Sequence, residues 1–173
     1  MLLIQLTGLS GAGKSTIANM VKTRLLDEGI PTIIIDGDEY RKTICADLGF
    51  SRADRCENIR RLGKVASSYC QQGMVAIIAA INPYQEARDE LASLYKAKTV
   101  FIHCPLRVLI ERDTKGLYRR ALLDASHPEY ITNLTGVNDP YEDPSHADLI
   151  LNTSLSSPEE ATAFFLDFIK KHL

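Results

Sequence analysis

The length, composition and charge of the chain exclude several classes of protein. Its 173 residues suit one domain with a sizeable core. Hydrophobic residues make up 45% and charged residues 24%, as in ordinary globular proteins. The formal net charge of −2 argues against a dedicated nucleic-acid binder, which usually carries a basic excess. No stretch approaches the roughly 20 apolar residues that cross a bilayer, so we expect no membrane partner.

Strand and helix patterns alternate along the chain, which predicts parallel βαβ units. A helix with an apolar face is predicted over residues 17–25, with Gly29 as its stop. A second helix is predicted over residues 54–72, closed by Gly73. Five apolar or β-branched runs are predicted to be strands, at residues 2–6, 32–35, 74–81, 99–104 and 147–151.

The last helix has a clear start signal. Ser157 is the expected N-cap, Pro158 occupies the first helical position and Glu160 the third. The phenylalanine-rich stripe that follows, which includes Phe164 and Phe165, is expected to belong to the core.

The segment from about residue 113 to residue 146 is polar and contains only one short helical stretch, over residues 117–123. Long loops of this kind in compact domains are usually functional lids or disordered. We call this segment the lid segment. We therefore predict a single domain over residues 1–173, with an α/β fold of three layers: a five-stranded parallel sheet, flanking helices and a lid.

The cysteines do not form a recognisable metal or redox motif, because none of them has C-x-x-C spacing. The apolar start of the chain breaks at Gln5 and has no basic region before it, so we expect no secretory signal. The predicted location is therefore cytoplasmic, where thiols stay reduced. The four cysteines are Cys45, Cys56, Cys70 and Cys104.

A glycine-rich sequence that fits G-x-x-x-x-G-K-[ST] lies between the first predicted strand and the first predicted helix. Its glycines let backbone N–H groups converge on phosphate oxygens, and the following helix presents its positive end to the same anion. Lys14 is expected to reach the β- and γ-phosphates of ATP, and the Ser15 hydroxyl to bind Mg²⁺. This motif predicts a P-loop NTPase fold of the nucleoside-kinase type. The residues predicted to bind the nucleotide are Gly8, Ser10, Gly11, Ala12, Gly13, Lys14, Ser15 and Thr16.

The rest of the chain favours a kinase over a nucleotide switch or a motor. A GTPase switch needs an N-K-x-D base reader, and the nearest sequence, at residues 114–117, lacks the aspartate. The chain is also short for a motor with extra domains. A lid segment suits a small-molecule kinase, because closure excludes the water that competes with the acceptor for the phosphoryl group.

Two carboxylates, Asp36 and Asp38, follow the second predicted strand. Carboxylates there can hold hydrated Mg²⁺ or accept the proton of an attacking hydroxyl. The simpler alternative for Asp38 is a helix cap in a turn.

A group of polar residues downstream offers an acceptor site. Arg41, Arg55 and Asn58 could converge on an anionic acceptor, and Phe50 offers a stacking surface for a base. Arg55 and Asn58 lie one turn apart on a helix face that we expect to lie opposite the buried side. The alternative from spacing alone is a solvated basic face.

In combination these motifs resemble the adenylylsulfate kinase family, which phosphorylates the 3′-hydroxyl of adenosine 5′-phosphosulfate (APS, or adenylyl sulfate) to give 3′-phosphoadenylyl sulfate. The resemblance implies ATP and Mg²⁺ as cofactors, catalytic roles for Lys14 and Asp38, and metal contacts from Ser15 and Asp36. It also implies a homodimer and a role in sulfate assimilation. The matching segments are residues 8–16, 36–38, 47–51, 54–55, 57–61, 112–113, 115–118, 135–136 and 140–142.

The resemblance also assigns residues to the two substrates. Arg112 and Lys115 match lid residues that close over the nucleotides, and Arg112 is assigned to ATP. Phe50 matches one half of the family's adenine clamp. The residues implied to bind the acceptor are Asp38, Arg41, Phe50, Arg55, Asn58, Ile81, Lys115 and Leu134.

The sequence departs from the family pattern at several positions, all of which we expect to surround the acceptor. Asn82 replaces a serine that is phosphorylated in some members, and Gln85 and Leu122 stand where arginine is common. Leu134 replaces the second aromatic residue of the adenine clamp, and residues 121–132 are longer than the family pattern. These departures leave open a related nucleotide-linked acceptor.

A non-catalytic ATP-binding regulatory module is the remaining alternative. The joint presence of Lys14, Ser15 and Asp38 argues against it, because a pure binder has no use for a base beside the acceptor.

Overall fold

The computed structural model describes residues 1–173 and is built on one sheet of parallel strands. The strands are β1 (Leu3–Thr7), β2 (Thr32–Asp36), β3 (Val75–Ala79), β4 (Lys98–His103) and β5 (Leu149–Asn152). Across the sheet they lie in the order β2-β3-β1-β4-β5, and every neighbouring pair is parallel. The predicted fold class is therefore confirmed, with small shifts at the strand ends.

Seven helices connect and cover the strands. The predicted start of the last helix is confirmed, since Ser157 and Glu160 form a reciprocal capping box. The stop of the first helix is also confirmed, since Gly29 follows it with a φ of 75°. The helices are α1 (Lys14–Asp27), α2 (Gly37–Tyr40), α3 (Arg52–Gln71), α4 (Gln85–Tyr95), α5 (Leu106–Arg112), α6 (Leu117–Ala121) and α7 (Pro158–His172).

The two faces of the sheet bury two separate apolar cores. In the central strand β1, Ile4 and Leu6 belong to the core that α1 and α7 cover. Leu3, on the opposite face, belongs to the core beneath α3 and α4. Both β1 and β3 are buried at every position, and β3 reads as a continuous apolar run. In β1 the buried Gln5 and Thr7 side chains are hydrogen-bonded.

The expectation that the whole phenylalanine stripe of α7 is core is wrong for one residue. Phe165 is fully buried, whereas Phe164 is 61% exposed. Adjacent residues of a helix with 3.6 residues per turn point in different directions, so the two rings do not share one face.

The four cysteines are free thiols, as predicted. Burial, followed by the hydrogen bond to Glu86, raises the pKa of Cys56 to about 11, so this thiol is poorly reactive at neutral pH. None of the helices is long and apolar enough to span a bilayer.

The carboxyl ends of three neighbouring strands form the edge on which the site is built. β1 leads into the glycine-rich loop, β2 ends at Asp36, and β3 continues towards Ile81. The Ile81 carbonyl accepts hydrogen bonds from the Gly8 N–H at 3.2 Å and from the Thr7 hydroxyl at 3.0 Å. These bonds join the segment after β3 to the start of the loop, at the edge where open parallel sheets bind ligands.

Candidate active site

The glycine-rich loop, residues 8–15, which we call the phosphate loop, has a backbone shape that requires glycine. Gly8 has a φ of 150°, and a Cβ there would lie 2.4 Å from the carbonyl oxygen of Ile102. Gly13 has a φ of 100° and precedes α1 without a side-chain cap. The first-turn N–H groups of α1 therefore have no capping side chain and form a site for an anion.

The loop forms one end of a cavity of about 430 Å³. Six of its predicted nucleotide-binding residues line this cavity, while Gly8 and Ala12 do not. The six are Ser10, Gly11, Gly13, Lys14, Ser15 and Thr16.

Lys14, which is expected to reach the β- and γ-phosphates of ATP, lines the cavity but is largely buried. Its side chain is 9% exposed, and its ammonium group donates to the carbonyls of Gly8 and Leu9, each at 2.8 Å. Burial, followed by the positive charge of Lys115, lowers the pKa of Lys14 to about 8. The ammonium group is thus held within the loop and is poised for a negative ligand.

Ser15 and Asp36 meet at the carboxyl edge of the sheet. The Ser15 hydroxyl donates to Asp36 Oδ2 at 3.0 Å, and Asp36 Oδ1 accepts from the Asp38 N–H at 2.9 Å. Asp36 is thereby the N-cap of the short helix α2, and both of its oxygens are fixed. The cap role that the sequence offered for Asp38 belongs to Asp36.

Asp38 is more exposed and faces the lid segment. Its side chain is 76% exposed, and its Oδ2 accepts from the Lys115 ammonium at 3.2 Å. Both residues line the cavity together with the phosphate loop. Asp38 therefore lies where a carboxylate can reach a ligand that enters between the loop and the lid segment.

The oxygen atoms near the loop suit a partial Mg²⁺ site. Nowhere in the chain do three or more His, Cys, Asp or Glu side chains cluster so as to hold a metal by themselves. Mg²⁺ commonly takes one or two protein oxygens and completes its shell with water and substrate phosphates. The Ser15 hydroxyl and the Asp36 carboxylate fit that pattern.

Arg55 and Asn58 lie on a buried face of α3, which corrects the expectation that they point away from the core. Arg55 is 7% exposed and Asn58 5% exposed. The Arg55 guanidinium donates to the carbonyl of Asn133 at 2.8 Å and lies 2.6 Å from the Asp139 carboxylate. Periodicity placed this face in solvent, but the lid segment returns over it. The alternative of a solvated basic face is therefore wrong for these two residues.

Arg41 joins this group beside an aromatic ring. The Arg41 guanidinium lies 4.5 Å from the centre of the Phe50 ring, and that of Arg55 lies 5.3 Å from it. Burial, followed by repulsion from Arg55, lowers the pKa of Arg41 from its ordinary value. With Asn58 and Asn82, these residues line a second cavity of about 190 Å³. It shares five lining residues with the first: Asp38, Phe50, Arg55, Ala80 and Ile81. Arg41 has no carboxylate partner, whereas Arg55 is paired with Asp139, so the guanidinium of Arg41 supplies the uncompensated positive charge that suits an anion with an attached ring.

The two clamp positions Phe50 and Leu134, and Ile81, which is implied to contact the adenylyl group, all line the larger cavity. Phe50 is 50% exposed, and Leu134 is 6% exposed. Four further residues of the lid segment line this cavity without an assigned role in the sequence analysis. Two of them, Leu117 and Thr135, belong to segments that match the family, whereas no local motif marks Ile131 and Asn133.

Three of the departures from the family pattern reach the cavities, since Ile131 of the lengthened stretch also lines the larger one. Asn82 lines the smaller cavity and Leu134 the larger one. Gln85 accepts from the Arg88 guanidinium at 2.9 Å and lines neither cavity, and Leu122 is 56% exposed on the surface. The expectation that all departures surround the acceptor is therefore wrong for Gln85 and Leu122.

Arg112, assigned to ATP by resemblance, lies outside the cavity. Its guanidinium is 3.4 and 3.5 Å from the carbonyl oxygen of Thr153, whose hydroxyl donates to the carbonyl of Ala12 at 2.9 Å. Arg112 is thus connected to the outer side of the phosphate loop through Thr153.

Comparison with known proteins identifies related kinases. The family model described as adenylylsulphate kinase matches residues 1–152. The adenylyl-sulfate kinase of Bacillus velezensis is 41% identical over 174 residues, which cover 99% of this chain and 86% of that protein. The structure of the Mycobacterium tuberculosis APS kinase in complex with AMPPNP and APS superposes with a TM-score of 0.89 at 36% identity, covering 98% of this chain and 97% of that one. A hexameric APS kinase from Thiobacillus denitrificans gives a TM-score of 0.70 at 27% identity, with 99% of this chain and 29% of that chain covered.

Proposed function

The chain belongs to the adenylylsulfate kinase family, and we propose that it transfers the γ-phosphate of ATP to the 3′-hydroxyl of adenylyl sulfate. The products are ADP and 3′-phosphoadenylyl sulfate. The observation that carries this proposal is one continuous cavity that extends from the phosphate loop to Phe50, Arg55 and Leu134. The phosphates of a nucleoside triphosphate can therefore bind at the phosphate loop, while an acceptor with a base and an anionic group binds near Phe50 and Arg55 in the same cavity.

The phosphate loop stabilises the charge that develops on the transferred group. The Lys14 ammonium exchanges its loop carbonyl partners for phosphate oxygens, while the first-turn N–H groups of α1 bind the same anion. Phosphoryl transfer needs little covalent participation from the protein, so positioning and charge stabilisation account for most of the catalysis.

Asp38 accepts the proton of the attacking 3′-hydroxyl. It lines the cavity beside the phosphate loop and is held in an ion pair only by the exposed Lys115. The acceptor hydroxyl takes the place of Lys115 beside the carboxylate, and the proton moves to an Asp38 oxygen as the new O–P bond forms.

The Ser15 hydroxyl and the Asp36 carboxylate would hold Mg²⁺ through their oxygens. The ion would supply positive charge against the phosphates of ATP. The role of Asp36 in this chain is to orient the Ser15 hydroxyl and to cap α2, which fixes the backbone that carries Asp38.

The acceptor lies across the two cavities. The guanidinium groups of Arg41 and Arg55, with the Asn58 amide, bind its phosphosulfate group, since the planar guanidinium can donate two hydrogen bonds to the oxygens of such an anion. Phe50 and Leu134 hold its adenine ring, and Ile81 contacts the adenylyl group.

The lid segment, residues 113–146, closes over both nucleotides as part of the single domain. Lys115 lies on the cavity side of this segment. Arg112, which directly precedes the segment, moves inward from its contact with Thr153 when the lid segment closes. Closure excludes water from the γ-phosphate.

The relatives favour adenylyl sulfate over another nucleotide-linked acceptor and over a non-catalytic ATP-binding module, since their names are those of adenylyl-sulfate kinases. We place the activity in the cytoplasm and in sulfate assimilation. A homodimer is proposed from the family resemblance, although one structural relative is a hexamer.

The test is an assay of the purified protein with ATP, Mg²⁺ and adenylyl sulfate. We expect ADP and 3′-phosphoadenylyl sulfate in equal amounts, with the new phosphate assigned to the 3′-oxygen by ³¹P NMR. Lys14→Ala serves as the negative control and should retain no more than a few percent of the activity. Release of ADP without a phosphorylated acceptor would contradict the proposal and indicate a plain ATPase.

A further inference from the structure

The lid segment contributes an aliphatic wall to the cavity. Leu117, Ile131 and Leu134 line the cavity on this side and belong to, or pack against, the core that α1 and α7 cover. Ile131 belongs to the stretch that is longer than the family pattern. This aliphatic wall therefore differs from the aromatic clamp that the family resemblance implies.

Asn138 ties two members of this wall together. Its side-chain amide donates to the carbonyl of Ile131, and its Oδ1 accepts from the Leu134 N–H at 2.8 Å. The Leu134 carbonyl in turn accepts from the N–H groups of Val137, Asn138 and Asp139 at 3.1 to 3.2 Å. A single side chain thus sets the distance between the backbone at Ile131 and the backbone at Leu134.

The other anchor of Ile131 is weaker. Its N–H donates to the carbonyl of Arg120 at 3.4 Å, close to the upper limit of a hydrogen bond. Ile131 is only partly buried, while Leu134 is 6% exposed. The position of Ile131 therefore depends more strongly on Asn138 than the position of Leu134 does.

We infer that Ile131 and Leu134 together form the second face of the acceptor's base site, opposed to Phe50, and that Asn138 is a positioning residue that sets this face. This inference rests on the proposed function, because the base in question is the purine of the acceptor nucleotide. The aliphatic face supplies apolar contact where an aromatic ring would supply stacking.

Three variants separate the contact from its positioning. Ile131→Ala shortens the wall. Asn138→Asp keeps the acceptor for the Leu134 N–H but loses the donor to Ile131, and a carboxylate oxygen then faces a carbonyl oxygen. Leu122→Ala is the matched control, because Leu122 belongs to the same lengthened stretch and is exposed away from both cavities.

The experiment measures the Kd of adenylyl sulfate by calorimetry, with KM for adenylyl sulfate, KM for ATP and Tm in parallel. For Ile131→Ala we expect the Kd to rise roughly tenfold, as expected when a few methylene groups of apolar contact are lost. For Asn138→Asp we expect the Kd of adenylyl sulfate to rise by about three- to tenfold. In both variants KM for ATP should stay within about twofold of wild type. Leu122→Ala should match wild type in every measurement.

Several outcomes would overturn the inference. Unchanged Kd in both Ile131→Ala and Asn138→Asp would do so, as would an equal rise in KM for ATP, which would indicate a general structural role. A wild type that binds adenylyl sulfate without phosphorylating it would refute the proposed function alone, while the Kd changes would still decide the base site. Failure of the wild type to bind adenylyl sulfate at all would refute both.

Discussion

The ammonium group of Lys115 lies 3.2 Å from the carboxylate of Asp38, although the two residues are 77 positions apart in the chain. The ion pair joins the lid segment to the residue that we propose as the base. Both side chains are more than half exposed, so the pair contributes little to stability. It can therefore open at low cost when an acceptor hydroxyl approaches Asp38.

Asp38→Asn removes the proton acceptor while it keeps the size of the side chain. We expect kcat to fall by about 10²- to 10⁴-fold, the usual contribution of a general base, with ATP affinity nearly unchanged. Glu39→Gln is the control, since Glu39 is an exposed neighbour paired only with Lys42. A collapse of nucleotide affinity with unchanged kcat would show that Asp38 acts through the metal or the fold.

The titration of Lys14 predicts a dependence on pH. The pKa of Lys14 is about 8 in the free protein, so its ammonium group is lost as the pH rises through 8. We expect kcat/KM for ATP to fall above that pH, whereas kcat at saturating ATP should persist to higher pH because bound phosphates favour the charged amine. In Lys14→Arg the charge persists, so the fall near pH 8 should disappear.

The same shift has a consequence for folding, with the opposite sign. Between pH 8 and the ordinary Lys value of 10.5, the unfolded chain binds more protons at Lys14 than the folded chain does. The contribution of Lys14 to the free energy of unfolding should therefore rise with pH across this window. Denaturant unfolding of wild type and Lys14→Met at pH 7.5 and 10 measures it, and a contribution that falls with pH would contradict the burial of Lys14.

Most strands and helices could be predicted from the sequence, and the errors at their ends have physical causes. The run at residues 74–81 is apolar throughout, yet β3 ends at Ala79, because Ile81 leaves the sheet to accept hydrogen bonds from Thr7 and Gly8. Apolar composition does not separate a buried strand from the buried loop that continues it.

The site was predictable where its residues form local motifs. The phosphate loop, Asp36 and Asp38 follow directly from spacing and from the ends of strands. The burial of Arg55 did not, because its covering partners Asn133 and Asp139 lie 78 or more positions away. Ile131 gave no signal for the same reason, since only the folded lid segment brings it to the cavity.

Substitutions at Phe50 and at Leu134 should change adenylyl sulfate binding in opposite directions. Phe50→Ala should weaken adenylyl sulfate binding by about 1–3 kcal/mol, the range for stacking of one aromatic ring on a base. Leu134→Phe should tighten binding within that range, because the added ring extends into the cavity that Leu134 lines. KM for adenylyl sulfate and for a pyrimidine-linked analogue measures both effects. The choice of acceptor would be overturned if wild type and Leu134→Phe both used adenylyl sulfate poorly while wild type used the analogue efficiently.

The first glycine of the phosphate loop should be intolerant of a side chain. In Gly8→Ala the new Cβ would lie 2.4 Å from a backbone oxygen in β4, and φ is 150°. We expect the free energy of unfolding to fall by about 3 kcal/mol or more. Gly29→Ala is the control, since it also has a positive φ but open space around it, and it should lose only about 1 kcal/mol. Equal losses in urea unfolding would contradict the close approach at Gly8.

The most direct measurement of the central claim is a comparison of kcat/KM across acceptors with ATP as the donor. The panel contains adenylyl sulfate, other nucleoside phosphosulfates, phosphoramidates and plain nucleoside monophosphates. We predict the highest kcat/KM for adenylyl sulfate, with the phosphate on its 3′-oxygen. A higher kcat/KM for any other acceptor, alongside weak turnover of adenylyl sulfate, would contradict the proposed function.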